Sequence, residues 1–209
     1  MKRLAIFGAS GHGKVVAEIA ELNGWSDIVF YDDDLNRKNL EKWMIKGDIK
    51  MLISDFEEFN GFIVAIGNNK IREEKTKYIL SAGVINLVSL KHPSSILSKY
   101  SEIGLGSVIM AGCVINPYCK IGGGVIINTN SIVEHDNLIQ DYVHISPGAC
   151  VAGGVNIGRL SWVGIGASIK QNIVIGSNVT IGAGSVVIEN IDNNSTVFGV
   201  PAKKNIEKC

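Results

Sequence analysis

The sequence predicts a small Rossmann-like α/β half-domain over residues 1–92, followed by a parallel β-helix over residues 93–209. Two observations predict this fold class. Strand, glycine turn and helix patterns alternate in the first region, and an aliphatic residue recurs every six positions in the second. A length of 209 residues, near-average apolar content and equal numbers of acidic and basic side chains describe a globular protein of one large or two small domains.

The charge pattern disfavours a nucleic-acid partner, because lysine and arginine balance the acids and form no long run. No segment approaches the ~20 apolar residues of a membrane span. The apolar N-terminal stretch runs into glycines without a cleavage-like site. We therefore expect a cytoplasmic protein without a membrane span.

The cysteines also favour a reducing compartment. They lack the CxxC spacing of metal and redox sites, and two of them stand where the repeat has a small residue. Buried thiols are therefore favoured over metal ligands or disulfides. The four are Cys113, Cys119, Cys150 and Cys209.

The half-domain begins with an apolar strand, RLAIFG, and a glycine-rich turn, GASGHG. The helical stretch KVVAEIAELNG follows and closes at Gly24. A second strand, DIVFYDDD, ends in acids. FIVAIGNN and KIREEKTKYILSAG then repeat the order of strand, turn and helix.

The first turn is a candidate diphosphate cradle, because glycine N–H groups and a helix N-terminus attract anions. Asp32 or Asp33, about 20 residues on, is placed to meet a ribose. The glycines are spaced GxxGxG and not GxGxxG as in dinucleotide enzymes, and fewer than 100 residues precede the repeat. Both observations disfavour an NAD site. A domain of this size better fits a nucleoside diphosphate that carries one sugar. A turn that only packs strand against helix is the alternative. The cradle residues are Ser10, Gly11, His12 and Gly13.

The second region repeats with a period of six. Every sixth residue from Leu97 to Val187 is aliphatic, which has odds on the order of one in 10⁸ by chance. The period predicts a coil with three flat faces and about 18 residues per turn. Coils stacked roughly 4.8 Å apart would form about five turns, with residues 18 apart one above the other.

Two histidines on one predicted coil, His135 and His144, point outward in this register. A solvated surface role is the ordinary explanation. Glu134 and Asp136 flank His135, however, and a carboxylate can orient an imidazole and raise its basicity, as a general base requires. Gly153 would lie one coil above His135 and offer a bare N–H to an oxyanion.

Several motifs in one order carry a family resemblance: GASGHG with FYDDD, AIGNNKIREE, INTNSIVEHD, HISPGACVAGG and FGVPAKK. They resemble the nucleotide-activated amino-sugar N-acetyltransferases of bacillosamine-type pathways and their sialic-acid O-acetyltransferase relatives, over nearly the whole chain. The resemblance implies a left-handed β-helix, although right-handed crossovers are the usual preference. It also implies a homotrimer, with acetyl-CoA between adjacent β-helices and the sugar nucleotide reaching over from the N-terminal domain.

The resemblance assigns roles to individual residues. His135 corresponds to the catalytic base and Asp136 to its supporting acid. Because the family usually has glutamate at position 136, Glu134 could share that role. The substrate-binding positions of the matching motifs include Gly67, Asn68 and Asn128. The acetyl-CoA-binding positions are His144, Gly153, Gly166, Ala167 and Lys203.

The expected reaction is N-acetylation of the C4 amine of a UDP-linked amino-deoxy sugar, by direct attack on the thioester and without a metal. Three alternatives remain open. The acceptor could be a GDP-linked amino sugar, or the hydroxyl of sialic acid or a related sugar. A non-catalytic trimeric scaffold that only binds a nucleotide sugar is the third.

Overall fold

The computed structural model describes residues 2–204, and the chain divides into two compact units, Met1–Pro93 and Ser94–Cys209. Within residues 2–204, no helix is long and apolar enough to cross a membrane. The same residues contain no group of three or more His, Cys, Asp or Glu side chains that could hold a metal ion.

The first unit is an α/β sandwich around a five-stranded sheet in the order β3-β4-β2-β1-β5. The strands are parallel except for β3, which pairs antiparallel with β4. The elements, in chain order, are β1 (Arg3–Phe7), α1 (Gly11–Leu22), β2 (Asp27–Tyr31), β3 (Asn39–Leu40), β4 (Trp43–Gly47), α2 (Ile49–Asp55), a 3-10 turn at Phe56–Glu58, β5 (Gly61–Val64), α3 (Asn69–Ser81) and β6 (Leu90–Lys91).

The apolar runs of the first unit form its core. Leu4 and Ile6 on one face of β1 are fully buried, and Ala5 and Phe7 on its other face are at most 2% exposed, so this central strand is covered on both faces. Helix α1 ends as predicted, because Gly24 follows it with φ 82°, a conformation that glycine adopts without strain. The sequence does not predict β3, β4 or α2. The two strands lack the continuous apolar run that marks β1, β2 and β5, and α2 spans only seven residues, too few to show a helical period.

The order of the sheet reverses direction at β1. From β1 the chain crosses through α1 to β2 on one side, whereas β5 lies on the other side of β1. In open α/β sheets, ligands bind beyond the carboxyl ends of the strands at such a switch point. The turns after β1 and β5 therefore meet where a ligand crevice is expected.

The second unit is the predicted left-handed parallel β-helix with three faces. From Ile96 to Val187, strands pair with strands 18 residues away, as Ile132 does with Cys150. The last coil is shorter, and Thr180 pairs with Thr196. The first face contains Ile96–Leu97, Val114–Ile115, Ile132–Val133, Cys150–Val151, Ser168–Ile169 and Val186–Val187; the second contains Glu102–Ile103, Lys120–Ile121, Leu138–Ile139, Asn156–Ile157 and Val174–Ile175; the third contains Val108–Ile109, Ile126–Ile127, His144–Ile145, Trp162–Val163, Thr180–Ile181 and Thr196–Phe198, with Lys203–Lys204 antiparallel to Thr196–Phe198.

From Ile96 to Val187, the second residue of each two-residue strand points into the prism. Val133, Ile139 and Ile145 have no exposed surface. The corners between faces use left-handed residues such as Asn130 and Gly148, which tolerate a positive φ. We call the corner between the first and second faces the first corner; it carries residues 99–100, 117–118, 135–136, 153–154 and 171–172.

Two of the four cysteines are buried thiols, as predicted. Cys113 and Cys119 lie inside the prism, and burial raises the pKa of both thiols. Cys150 departs from the expectation and is exposed, because it is the outward residue of its strand. Cys209 lies outside the described residues.

Candidate active site

The first corner carries an imidazole bound to a carboxylate. His135 follows the strand Ile132–Val133, and its Nδ1 lies 2.7 Å from Oδ2 of Asp136. Both side chains are more than half exposed, so the pair is open to a substrate. When Nδ1–H donates to the carboxylate, Nε2 keeps its lone pair and can accept a proton.

Glu134 has a different partner. Its Oε2 accepts a hydrogen bond of 2.7 Å from the side-chain amide of Asn116, one coil below. Of the two acids that flank His135 in sequence, Asp136 is therefore the one that contacts the imidazole.

Gly153 lies directly against the His135 ring. A β-carbon at this position would come within 2.6 Å of Cε1 and 2.8 Å of Nε2 of His135, so a larger residue would displace the imidazole. The carbonyl of His135 accepts from the N–H of Gly154, at 3.0 Å. Among the described residues the N–H of Gly153 makes no hydrogen bond, so it can donate to a developing oxyanion.

His144 occupies a different environment on the third face. It is only 7% exposed, whereas the repeat pattern places it outward as a surface residue. Its ring stacks on Trp162, with centroids 5.1 Å apart and planes 16° apart. Its Nε2 lies 3.1 Å from Nδ2 of Asn128, so Asn128 contacts the imidazole in this structure. The ring still points away from the prism interior, but its neighbours one coil on each side cover it.

A groove of about 510 Å³ runs along the third face beside this pair. Its surface is mainly apolar, and a groove of this size and character suits a small molecule with a hydrocarbon arm. The indole N–H of Trp162 donates to Oγ of Ser146 at 2.7 Å and fixes the wall of the groove. Other lining residues are Pro147, Ile165, Thr180 and Ala183.

The other predicted acetyl-CoA residues are spread along the C-terminal coils. Gly166 lies at the corner beside the groove, with φ 64° and open space where a side chain would stand. Ala167 is fully buried in the prism, and its N–H and C=O already bond to Gly164 and Cys150. Lys203 is exposed near the last coil.

One chain does not bring the two histidines together. In a three-sided prism, the first corner lies opposite the third face, and the side chains of Val133, Ile139 and Ile145 fill the space between them. The sequence register predicts that His135 and His144 lie on the same coil, and the structure confirms this. The two side chains, however, lie on opposite sides of that coil.

In the first unit, the candidate cradle begins a helix. Ser10 is the N-cap residue of α1, and Gly11, His12 and Gly13 form its first turn, although the glycine pattern predicts a loop there. The glycines differ in role. A β-carbon at Gly13 would collide with the carbonyl of Gly8, so close packing requires that glycine, whereas Gly11 has open space around it.

The two aspartates after β2 are both engaged. Oδ2 of Asp32 accepts from the N–H of Ala9 at 2.6 Å, which ties the end of β2 to the turn after β1. Asp33 pairs with Lys75 at 2.7 Å, and this hydrogen bond raises the pKa of Lys75. Asp32 therefore fixes the shape of the cradle, and Asp33 lies beside a helix α3 cation.

The turn after β5 supplies a second helix N-terminus. Asn68 caps α3 by accepting a hydrogen bond of 3.1 Å from Ile71 N–H. The buried guanidinium of Arg72 donates to the carbonyls of Ile66 and Gly67 and holds this turn in place. The N-termini of α1 and α3 thus follow adjacent parallel strands, an arrangement that favours an anion.

The comparisons with known proteins show the family of this chain. Residues 3–79 match the model described as the PglD N-terminal domain. GDP-perosamine N-acetyltransferase of Escherichia coli O157:H7 is 33% identical over 172 residues, which cover 79% of this chain and 77% of that protein. The chain belongs to the sugar-nucleotide amino-sugar N-acetyltransferases.

Two further relatives are similar to this acetyltransferase, one in sequence and one in both sequence and structure. UDP-N-acetylbacillosamine N-acetyltransferase of Bacillus subtilis (strain 168) is 40% identical over 120 residues, 53% of this chain and about half, 52%, of that protein. The acetyltransferase domain of PglB from Neisseria gonorrhoeae FA1090 in complex with acetyl coenzyme A is 41% identical, with a TM-score of 0.93 and coverage of 98% and 99% of the two chains. Acetyl-CoA is the co-substrate of this acyltransferase.

Trp162 is a residue of the candidate site that the sequence does not predict. It lies 18 residues after His144, and the strands of these two residues pair in register. The one-coil offset that placed Gly153 beside His135 would also have found Trp162. The repeat pattern alone does not mark Trp162, because an aromatic residue at an outward position carries no chemistry by itself.

Proposed function

We propose that this acetyltransferase acts on the 4-amino group of a UDP-linked amino-deoxy sugar, with His135 as general base. The observation that supports this most is the arrangement at the first corner. An open imidazole is held by Asp136 on one nitrogen, and its other nitrogen faces the bare backbone of Gly153. A solvated surface histidine needs neither neighbour.

The proposed reaction needs one proton acceptor and one oxyanion donor. The sugar amine attacks the thioester carbonyl of acetyl-CoA, and Nε2 of His135 takes the proton that the amine loses. The N–H of Gly153 stabilises the oxyanion that forms on the carbonyl oxygen. Collapse of the intermediate breaks the carbon–sulfur bond, and the leaving thiolate takes up a proton to become CoA.

The acetyl donor is proposed to lie in the groove of the third face. Its apolar walls suit the pantetheine arm, and His144 with Trp162 stands at its end. Because this face lies opposite the first corner, the donor and the base can meet only between two copies of the chain. We propose a homotrimer in which His135 of one subunit faces the groove of the next, and the family resemblance supports that state.

The first unit is proposed to bind the nucleotide. The N-termini of α1 and α3 at the sheet switch point suit a diphosphate, and Asp32 and Asp33 lie at the end of the neighbouring strand. The Bacillus subtilis relative, named for a UDP-sugar, supports uridine. The Escherichia coli relative, named for a GDP-sugar, keeps guanosine as the alternative. The free thiols of Cys113 and Cys119 support a reducing, cytoplasmic location.

A thiol-release assay tests the proposal. Acetyl-CoA is incubated with the protein and a panel of UDP-, GDP- and CMP-linked sugars, with and without a free 4-amino group, and free CoA is measured. We expect release with a UDP-linked 4-amino sugar and none with the 4-hydroxy analogue. Release with GDP-linked amino sugars alone would show that the nucleobase of the substrate is guanine and not uracil. Release with sialic acid or a CMP-sugar would indicate O-acetylation, and no release at all would favour the binding scaffold.

A further inference from the structure

We propose that Tyr118 and Tyr100 form a stacking platform for the ring of the acceptor sugar, and that Tyr118 is a specificity-determining residue. This inference rests on the proposed function and extends it to the sugar-binding side of the site. We refer to the two side chains as the tyrosine platform.

The platform is an exposed aromatic stack on the first corner. The two rings lie 5.6 Å apart with planes 20° apart. Tyr118 is 63% exposed and Tyr100 is 56% exposed, so more than half of each residue is open to solvent and available to a ligand. The ammonium of Lys99 lies 5.0 Å from the centroid of the Tyr100 ring and helps to fix that end of the stack.

The platform adjoins the catalytic pair. Tyr118 lies 18 residues before Asp136, and therefore one coil, about 4.8 Å, below the carboxylate that holds His135. The carbonyl of its neighbour Pro117 accepts a hydrogen bond of 3.1 Å from Asp136 N–H, which joins the two turns directly.

The opposite side of His135 is assigned to the donor. Gly153 and Gly154 stand one coil above His135 and have no side chains. Of the other proposed acetyl-CoA residues, His144 shares the coil of His135, and the rest lie on coils further toward the C-terminus. The acceptor must therefore approach from the remaining directions, and the N-terminal side of the corner offers the platform.

The backbone of Tyr118 is also unusual. Its φ of 64° is left-handed, a conformation disfavoured for bulky residues, whereas the equivalent places on this corner hold Asp136, Gly154 and Asn172. Tyr142 is left-handed too, but its ring covers Gly124 and packs against the prism. The ring of Tyr118 instead stacks only on the exposed ring of Tyr100 and is 63% exposed, so burial in the prism does not explain why an aromatic residue stands there.

The chemistry of a sugar ring matches this surface. One face of a pyranose presents C–H groups, which pack well on the electron-rich face of an aromatic ring. Stacking against Tyr118 would orient the ring and direct an amine on its far edge toward His135. A sugar whose hydroxyl points from that same face would be held away from the platform, which gives selectivity among epimers.

The test measures what the sugar adds to nucleotide binding. Calorimetry gives the Kd of UDP- and GDP-linked 4-amino sugars and of UDP and GDP alone, for wild type, Tyr118→Asn and Tyr118→Phe. Asparagine suits the left-handed backbone, as at Asn172, so this variant should fold. Tyr142→Asn is the matched control, because it replaces another left-handed tyrosine on a corner without the catalytic pair.

For the preferred nucleotide, we expect the wild type to bind the sugar form about 5- to 10-fold more tightly than the bare diphosphate. Tyr118→Asn should reduce this ratio to less than about 2, and the other two variants should keep it. The proposal is wrong if Tyr118→Asn keeps the wild-type ratio of the two Kd values, or if the wild type binds the sugar nucleotide no more tightly than the bare diphosphate with either base. It is also wrong if the substitution changes only the KM for acetyl-CoA. A changed assembly mass with an unchanged ratio would also overturn it, because the stack would then be an interface. Failure of the proposed function would appear separately, as a wild type that binds the sugar but releases no CoA.

Discussion

The imidazole of His135 rests on the α-carbon of Gly153, so closely that a β-carbon at position 153 would lie 2.8 Å from Nε2. This contact joins two consecutive coils and brings the proposed base to the proposed oxyanion donor. Neither residue could perform its role alone, because a base without an oxyanion site leaves the developing charge on the carbonyl unstabilised.

Gly153→Ala should therefore impair catalysis without unfolding the prism. The added methyl group displaces the His135 ring, and we expect kcat to fall about 10²-fold or more, as when a positioned base or oxyanion donor is lost. Steady-state kinetics measure the effect. Gly123→Ala is the control, because Gly123 holds the equivalent place on the next corner and its β-carbon would make a milder contact, 3.2 Å from Leu105 O. Equal losses in the two variants would show a general packing effect.

The two acids beside His135 should behave differently. Asp136→Asn removes the carboxylate that contacts Nδ1, so we expect kcat to drop about 10- to 100-fold with little change in either KM. Glu134→Gln should change kcat less than about 3-fold, because Glu134 bonds to Asn116 and not to the imidazole. A larger loss in the Glu134 variant would contradict the pairing of His135 with Asp136.

Substitutions at the two glycines of the α1 N-terminus should separate effects on sugar-nucleotide binding from effects on packing. Gly11→Val fits the open space around Gly11, so stability should hold while the KM for the sugar nucleotide rises and that for acetyl-CoA stays constant. Gly13→Ala places a methyl against the carbonyl of Gly8 and should cost about 1–3 kcal/mol of unfolding free energy. Thermal melts and the two KM values check both variants. Equal changes in both KM values for Gly11→Val would count against a nucleotide site here.

Acid should weaken the first unit through Asp55. The hydrogen bond from Lys46, followed by that from Tyr31, holds the pKa of Asp55 below its ordinary value of 3.8. A depressed carboxyl pKa stabilises the fold above the ordinary value, and that stability disappears as pH falls through the lowered pKa. Asp55→Asn should lose about 1 kcal/mol at neutral pH and show a shallower loss of stability below pH ~4.

Denaturant melts at several pH values measure this effect. Glu18→Gln, which alters an exposed acid on α1, is the control and should follow the wild-type curve. If the Asp55 variant lost stability with falling pH as steeply as the wild type, the acid sensitivity would come from other carboxylates.

The sequence predicts the parts of this protein that repeat or that depend on near neighbours. The period of six gives the β-helix, and the offset of 18 residues correctly places Gly153 beside His135. It does not reveal that Asp136 and not Glu134 turns toward the ring, because that depends on the left-handed φ of 60° at Asp136. It also missed the burial of His144, which comes from the size of Trp162 one coil above.

The first unit shows the same limit. The glycine pattern marks an anion-binding turn but cannot separate Gly13, needed for packing, from Gly11, which is open. The contact of Asp32 with Ala9 N–H joins residues 23 apart along the chain and carries no periodic signal. Such contacts depend on how neighbouring strands align in the folded protein, which the sequence pattern does not show.

The central claim is that His135 of one chain works with His144 of another. His135→Ala and His144→Ala chains, each with a different affinity tag, are co-expressed, and assemblies containing both are purified in sequence. Activity is measured at acetyl-CoA well below the wild-type KM, where each variant alone should be slow. If sites form between chains, each mixed trimer contains both intact residues in one of its three sites, and about a third of wild-type activity should return. Activity no higher than that of the separate variants would place both histidines in one chain's site and contradict the account.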